Sequence, residues 1–322
     1  MTTNSLIERL AADVTSAPQH ADVFAVRQYS IEEMMSRAKR LITATSDMRN
    51  ISMDRGDWVR QPDHTLVRLP AGAQAIIHHA SGAMKITTGL SPMESLFGKI
   101  EPRERLERLV RAAAERLRLA EWVGHNESLS FEHLWQIKAA AADRNARAVE
   151  PVLCRVVGAY RHSIGELPVW GAASVAIKLA AEGALDSLSI QLRDTAGEAL
   201  ERAPVIRPDE AARQIVLQLA SLMGRSKTPF TELAAPRWMR FGYLSLGKRK
   251  SQRVLAPHYV AAISIKGEET QGYLLVTPAT EKTYLPISHA GTNPPPAEVR
   301  RGANGVPPTF TVGKLRATRP VV

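Results

Sequence analysis

Residues 160–193 read Tyr-Arg-His-Ser-Ile-Gly-Glu-Leu-Pro-Val-Trp-Gly-Ala-Ala-Ser-Val-Ala-Ile-Lys-Leu-Ala-Ala-Glu-Gly-Ala-Leu-Asp-Ser-Leu-Ser-Ile-Gln-Leu-Arg, a strand–turn–strand–turn–strand pattern with little slack. Glycine admits positive φ and proline presets φ for a reversal, which places turns at Gly165–Pro168 and at Glu182–Gly183. After the first turn Val169, Gly171, Ala173, Val175, Ile177 and Leu179 alternate onto one face. After the second, Asp186, Leu188, Ile190 and Leu192 do the same. Reversals this tight pair neighbouring strands antiparallel, so this stretch specifies an antiparallel sheet before it specifies any chemistry.

Around it the chain alternates helices with groups of strands. Ser30 and Glu33 have capping-box spacing ahead of a helix to about Ser46, with Ile31, Met34, Met35, Ala38, Leu41 and Ile42 as its apolar stripe. Strands follow at 64–69, 73–79 and 84–88, the last two joined by a Ser81-Gly82 turn. A second helix runs from Pro102 to about Ala120 on Leu106, Leu109, Val110, Ala113 and Leu117, with Gly124 as its stop. Strands at 129–140, 151–162, 169–179 and 185–193 come next. A third helix, Pro208 to Met223, buries Ile215, Val216, Leu219 and Met223 and stops at Gly224. Strands at 240–246, 258–265, 272–276 and 283–287 close the series.

Helix then antiparallel strands, three times over, predicts an α+β fold of tandem units, each a curved sheet covered on one face by its own helix. The expected segments are 1–98, 99–200, 201–290 and a flexible Pro/Gly-rich basic tail at 291–322, where Pro294-Pro-Pro and Pro307-Pro308 interrupt any hydrophobic period.

The formal charge of +10 is unevenly spread. Residues 224–253 carry eight Lys or Arg against one Glu, and residues 294–322 carry five against one, which leaves the remainder nearly neutral. Basicity therefore belongs to a loop region and the tail. No run approaches the ~20 apolar residues of a membrane-spanning helix. The amino terminus lacks a basic start followed by an apolar run, so the expected location is cytoplasmic, with no membrane partner. Cys154, the single cysteine, excludes an internal disulfide and reads as a buried small hydrophobe.

Tyr160, Gly165, Pro168, Val169, Trp170, Gly171 and the acidic-Gly turn Glu182-Gly183 resemble the FTP module found in propeptides of fungalysin- and thermolysin-type metalloproteases. The helix at 208–223, with His258-Tyr259-Val260 through Tyr273 to Lys282, looks like the companion PepSY module. The resemblance covers residues 100–287 and is strongest at 160–193. It implies cystatin-like folds and a role beside a protease domain that such modules help fold and keep inactive. This sequence has no His-Glu-x-x-His run, so the zinc protease itself is missing from it. The resemblance thus implies a free-standing, non-catalytic protein-binding module acting as inhibitor or folding chaperone, with a protease among its candidate partners and no cofactor.

Trp170 and Tyr160 are the expected partner-binding residues of the module. Gly247 sits at an expected hairpin tip that carries Lys248, Arg249, Lys250 and Arg253 into solvent, where they would meet an acidic protein surface or, as the less favoured partner, nucleic acid through its phosphates. A second class of function is a small-molecule binder or enzyme whose cone-shaped pocket lies in a curved sheet, with His133, Tyr160 and His162 as lining. His133 shares its expected strand face with Leu129, Phe131, Trp135 and Ile137. A metal site is not expected: His78 and His79 are adjacent in a strand and point to opposite faces. Gly242-Tyr-Leu-Ser-Leu-Gly-Lys-Arg249 imitates a phosphate-binding loop but has Arg249 where a magnesium-binding hydroxyl belongs.

Overall fold

The structure, a computed structural model, describes residues 2–49, 56–98, 101–140, 150–172, 174–224, 229–265, 271–285 and 315–316. Its first half contains α1 (Thr3–Ala12), β1 (His20–Val26), α2 (Ile31–Arg49), β2 (Asp57–Arg60), β3 (His64–Arg68), β4 (Gln74–His78), β5 (Met84–Thr87), α3 (Arg103–Arg116), β6 (Glu127–Ala139) and β7 (Val152–Ile164). The second half contains β8 (Leu167–Gly171), β9 (Ser174–Leu179), β10 (Leu185–Gln191), β11 (Thr195–Pro204), α4 (Pro208–Met223), α5 (Phe230–Leu233), β12 (Ala234–Ser245), β13 (Val254–Leu255), β14 (Pro257–Ile265), β15 (Gln271–Pro278) and β16 (Leu315–Arg316). The protein is α+β, with strands predominating. Its contacts gather into two units interleaved in sequence: a larger one of Val26–Ala196 and Ser245–Arg253, and a smaller one of Met1–Ala25, Gly197–Leu244 and Val254–Val322.

The larger unit holds an antiparallel sheet whose strands run β6-β7-β9-β10-β5-β4-β3-β2. Each half is a helix followed by four strands, α2 with β2–β5 and α3 with β6, β7, β9 and β10. The order reads the same from either edge, because the last strand of each half pairs with the last strand of the other: Met84 lies opposite Ile190, and Ile86 opposite Leu188. Separate sheets for these two segments were expected from the element order. Burying Ile86, Leu188 and Ile190 together fuses them into one sheet over one core.

Both helices cover the same face of that sheet. Ser30 caps α2 reciprocally, its hydroxyl accepting from the Glu33 N–H (3.1 Å) while the Glu33 carboxylate accepts from the Ser30 N–H (2.8 Å). Met34, Ala38, Leu41 and Ile42 are buried below. In α3, Leu106, Val110, Ala113 and Leu117 face the core, and Val110 meets Gly158 of β7 so closely that an added Cβ would lie 2.1 Å from its Cγ1. The helix ends at Arg116, just before Arg118 with its φ of 50°, and not at Gly124, which follows a further 3-10 turn.

The signature stretch doubles back as expected, with differences in detail. The first reversal closes at Gly165 (φ 56°), and Pro168 already lies in β8 opposite Ser163. The expected strand 169–179 is broken after Gly171 (φ 88°): β8 and β9 both pair with β7, but Pro168 faces Ser163 whereas Ser174 faces Arg161. Val169, Val175, Ile177 and Leu179 are still buried, while Gly171 is exposed. A bulge at Asp186 puts Leu185 into the core in its place, leaving the Asp186 carboxylate to Lys178 (2.7 Å) and to the buried Arg155 (3.5 Å).

In the smaller unit β12, β14 and β15 form an antiparallel sheet with α4 packed on β15. The helix α1 packs on α4 through the unit's own core; Thr2 caps α1 by accepting from the Ser5 N–H (3.2 Å), and Leu6 and Leu10 are buried. Neither α1 nor β1, which lies between β11 and β13, was expected. The strand expected at 283–287 is absent over Thr283–Leu285, where the chain bends, and its remainder falls outside the described residues. So does the tail, save Leu315–Arg316, which pair with Gln271–Gly272. No helix among the described residues is long and apolar enough to cross a membrane.

Candidate protein-binding surface

The edge strand β6 is pinned at its start by a buried carboxylate. Glu127 Oε2 accepts from His162 Nε2 (3.0 Å) and from the Gly124 N–H (3.2 Å), and Oε1 accepts from the Thr195 N–H (2.7 Å) and hydroxyl (2.8 Å). Burial by itself would raise the Glu127 pKa, but the donors from His162 and Thr195 outweigh it and hold the carboxyl down at about 2. His162 is fully buried, with no hydrogen-bond partner at Nδ1 among the described residues. It anchors β6 to β7 with its side chain fully enclosed. Tyr160 is buried beside it, its ring 5.6 Å from Phe131 and its hydroxyl donating to the Val110 carbonyl at 3.5 Å. Tyr160 and His162, expected to line a pocket, are thus both buried, and Tyr160 is only 7% exposed.

Midway along β6 the register slips. Phe131 lies opposite Tyr160, yet His133 lies opposite Ala159, so Glu132 is an extra residue. A single inserted residue exchanges the two faces of a strand. Leu129 and Phe131 therefore pack on the core before the bulge and Leu134 after it, while His133, Trp135 and Ile137 turn to the face opposite α2 and α3. Trp135 is 51% exposed and Ile137 42%, which corrects the expected run of Leu129 to Ile137 on one side.

On that outer face the side chains form a continuous row. The Arg161 guanidinium lies 4.5 Å above the Trp170 ring and bonds Glu132 Oε1 at 2.5 Å. His133 Nε2 stands 3.8 Å from the same oxygen, and the His133 ring is 5.3 Å from Trp135. Trp170 is half-buried and belongs to this row, on the side of its strand opposite the buried Val169, as the alternation predicts. The structure thus brings His133 and Trp170 together and separates both from Tyr160 and His162. Arg161, Glu132 and Trp135 were missed because the alternation from Leu129 to Ile137 was expected to run unbroken; Leu134, an apolar residue in the polar phase of that alternation, is the local signal of the bulge.

The basic loop is tied down within the larger unit. Ser81 Oγ donates to the Lys248 carbonyl (2.7 Å), Arg193 Nη2 to the Lys250 carbonyl (2.5 Å), and the Leu246 N–H to the Gln252 side chain (2.9 Å). Burial pulls the Arg193 pKa down to about 10. Lys248 and Lys250 are half-buried, and only Arg249 and Arg253 of the four are exposed, so the loop is no projecting hairpin tip. Burial, then Lys248 and Arg249, pushes the nearby His78 down to about 4. Gly242 to Ser245 belong to β12 and form no phosphate loop. Cys154 is buried, and no group of three His, Cys, Asp or Glu among the described residues could hold a metal ion.

No protein-family model and no curated protein matches the sequence. The crystal structure of an uncharacterized protein from Eubacterium rectale is similar in fold, with a TM-score of 0.51 and 13% sequence identity over 86% of this chain and 88% of that one. At that identity the likeness speaks to the fold alone.

Proposed function

We propose that this chain is a non-catalytic, propeptide-like protein-binding module, built from cystatin-like helix-on-sheet units, that docks a partner on the outer face of β6–β7–β8. The observation that carries the reading is the row Trp170–Arg161–Glu132–His133–Trp135. Trp and Arg dominate the energetics of protein interfaces, because each covers a large area and also offers a directional contact. Here the Arg161–Glu132 pair fixes the row before a partner arrives, which lowers the ordering cost of binding. Ile137 extends the apolar end, and β6, which pairs with β7 alone among the described residues, adds backbone donors and acceptors along its other edge. The FTP and PepSY resemblance points to a protease as the partner class and to inhibition or folding assistance as the outcome.

The test uses the full chain and a Trp135→Ala/Trp170→Ala variant as parallel baits, followed by titration of both into a thermolysin-type protease. Retention of a protein by the parent and its loss from the variant, with far-UV circular dichroism unchanged, is the expected result. Equal retention by both, or none by either, together with no effect on protease activity or refolding yield, overturns the proposal.

A further inference from the structure

The opposite, helix-covered side of the larger unit carries a second arrangement. Arg27, Tyr29, Arg37, Trp122 and Arg40 alternate as a ladder of cations and rings: Arg27 stands 4.8 Å from the Tyr29 centroid and Arg37 4.3 Å from it, while Arg37 and Arg40 stand 5.0 and 5.9 Å from Trp122. The middle of the ladder is locked. Arg37 bonds Asp194 at 3.0 Å, and the Tyr29 hydroxyl accepts from Arg37 and donates to Asp194. Burial and the hydrogen bond to Asp194 push the Tyr29 pKa up, which keeps that donor protonated.

Two adjoining hollows of about 520 and 390 Å³ run along the ladder and share Arg37, Arg40, Glu121 and Trp122. Their cations are unequally matched. Arg27 pairs with Glu33, Arg37 with Asp194 and Arg118 with Glu121. Lys39, Arg40 and Arg116 are in no ion pair among the described residues, while the larger hollow holds Asp47 as its one unpaired carboxylate. Three unmatched cations against one anion, one of them presented on the Trp122 face, make a recognition site for discrete negative charges.

We propose that this groove binds an extended acidic polypeptide segment, with carboxylates of the segment received by the forks of Arg40 and Arg116 and by Lys39. A polypeptide fits better than a nucleic acid. Evenly spaced phosphates would have to pass Asp47 and Glu121 in the same hollow, whereas aspartates and glutamates can be spaced to miss them. The groove adds a second contact to the protein-binding reading and lies on the other face of the sheet from Trp135 and Trp170, so each site is testable without the other.

The experiment measures fluorescence anisotropy of three labelled probes with the full chain at low and physiological salt: a ten-residue Glu-rich peptide, its Lys-rich counterpart and a ten-nucleotide single strand. The Glu-rich peptide is expected to bind, more weakly at higher salt, and the exposed-site variant Lys39→Glu/Arg40→Glu is expected to lose at least tenfold in affinity with unchanged circular dichroism. Trp135→Ala/Trp170→Ala is expected to bind it normally, which separates this site from the one on the outer face. Absence of peptide binding, an unchanged affinity in Lys39→Glu/Arg40→Glu, or tighter binding of the oligonucleotide than of the peptide overturns the proposal.

Discussion

Replacing Gly158 by alanine inserts one methyl between α3 and β7, and the size of the effect follows from the distances. The new Cβ would lie 2.1 Å from Val110 Cγ1 and 3.1 Å from both its Cβ and Cγ2. Carbon atoms at optimal contact sit about 3.5–4.0 Å apart, so helix and sheet must separate by roughly 1.5 Å or Val110 must rotate. Rotation is disfavoured, because a β-branched side chain in a helix keeps one χ1 and Val110 is fully buried. Overpacking of this kind costs about 1–3 kcal/mol, and the strand gains back about 0.5–1 kcal/mol from losing a glycine, leaving a net loss of about 1–2 kcal/mol. Val110→Ala alone should cost about 2–3 kcal/mol from lost burial and the residual cavity. In the double variant the methyl added at position 158 enters space that Val110 has vacated, so the combined loss should fall short of the sum by about 1 kcal/mol or more. Urea unfolding followed by tryptophan fluorescence is the assay, since Trp58, Trp122, Trp135 and Trp170 lie in this unit and only Trp238 in the other. A neutral Gly158→Ala, or losses that add within ~0.5 kcal/mol, would refute the close approach of α3 to β7.

Three other outcomes follow from named contacts. The Glu127 carboxyl has a folded pKa depressed to about 2, so its stabilisation is complete above its unfolded value and drains away as pH falls toward 2. Glu127→Gln should therefore lower the urea midpoint at pH 7 by the equivalent of about 2–3 kcal/mol and far less at pH 2.5, and an equal loss at both would contradict the assignment. Arg155, buried, donates to the carbonyls of Ser91 (2.6 Å), Glu94 (3.1 Å) and Cys154 (2.8 Å). Arg155→Met should cost about 3 kcal/mol and raise hydrogen exchange at residues 91–97, whereas unchanged exchange there would deny it a clamping role. Ser30→Ala removes half of a reciprocal cap and should cost about 1 kcal/mol in thermal unfolding, with no change in the peptide affinity measured above.

What could be read from the residues divides along physical lines. The three long helices were legible because each has a local start, as in the Ser30–Glu33 pair or Pro208-Asp-Glu, and a stripe wide enough to bury. The α1 helix escaped because its short span supplies few core leucines, Leu6 and Leu10, and its burial depends on α4, which is remote in sequence. The β1 strand escaped likewise, since its partners β11 and β13 are equally distant along the chain. Of the candidate surface, Trp170 was legible from simple alternation. Trp135 was not, because it keeps the apolar phase of Leu129 and Phe131 while the bulge carries it to the outer side, and Leu134 alone breaks that phase. The tethering of the basic loop was equally hidden: it rests on Ser81 and Arg193, neither of which is near it in sequence.

The pairing of β5 with β10 has a consequence for the working life of the molecule. A self-complementary edge contact of this kind usually joins two identical subunits, and such a pair dissociates on dilution. Here both edges belong to one chain, with Thr87 and Ser187 in register. Closing the intervening loop replaces the concentration-dependent cost of association with a fixed entropy that grows only slowly with length. The sheet keeps the symmetry of a dimer at any protein concentration, and its two halves are free to carry different surfaces.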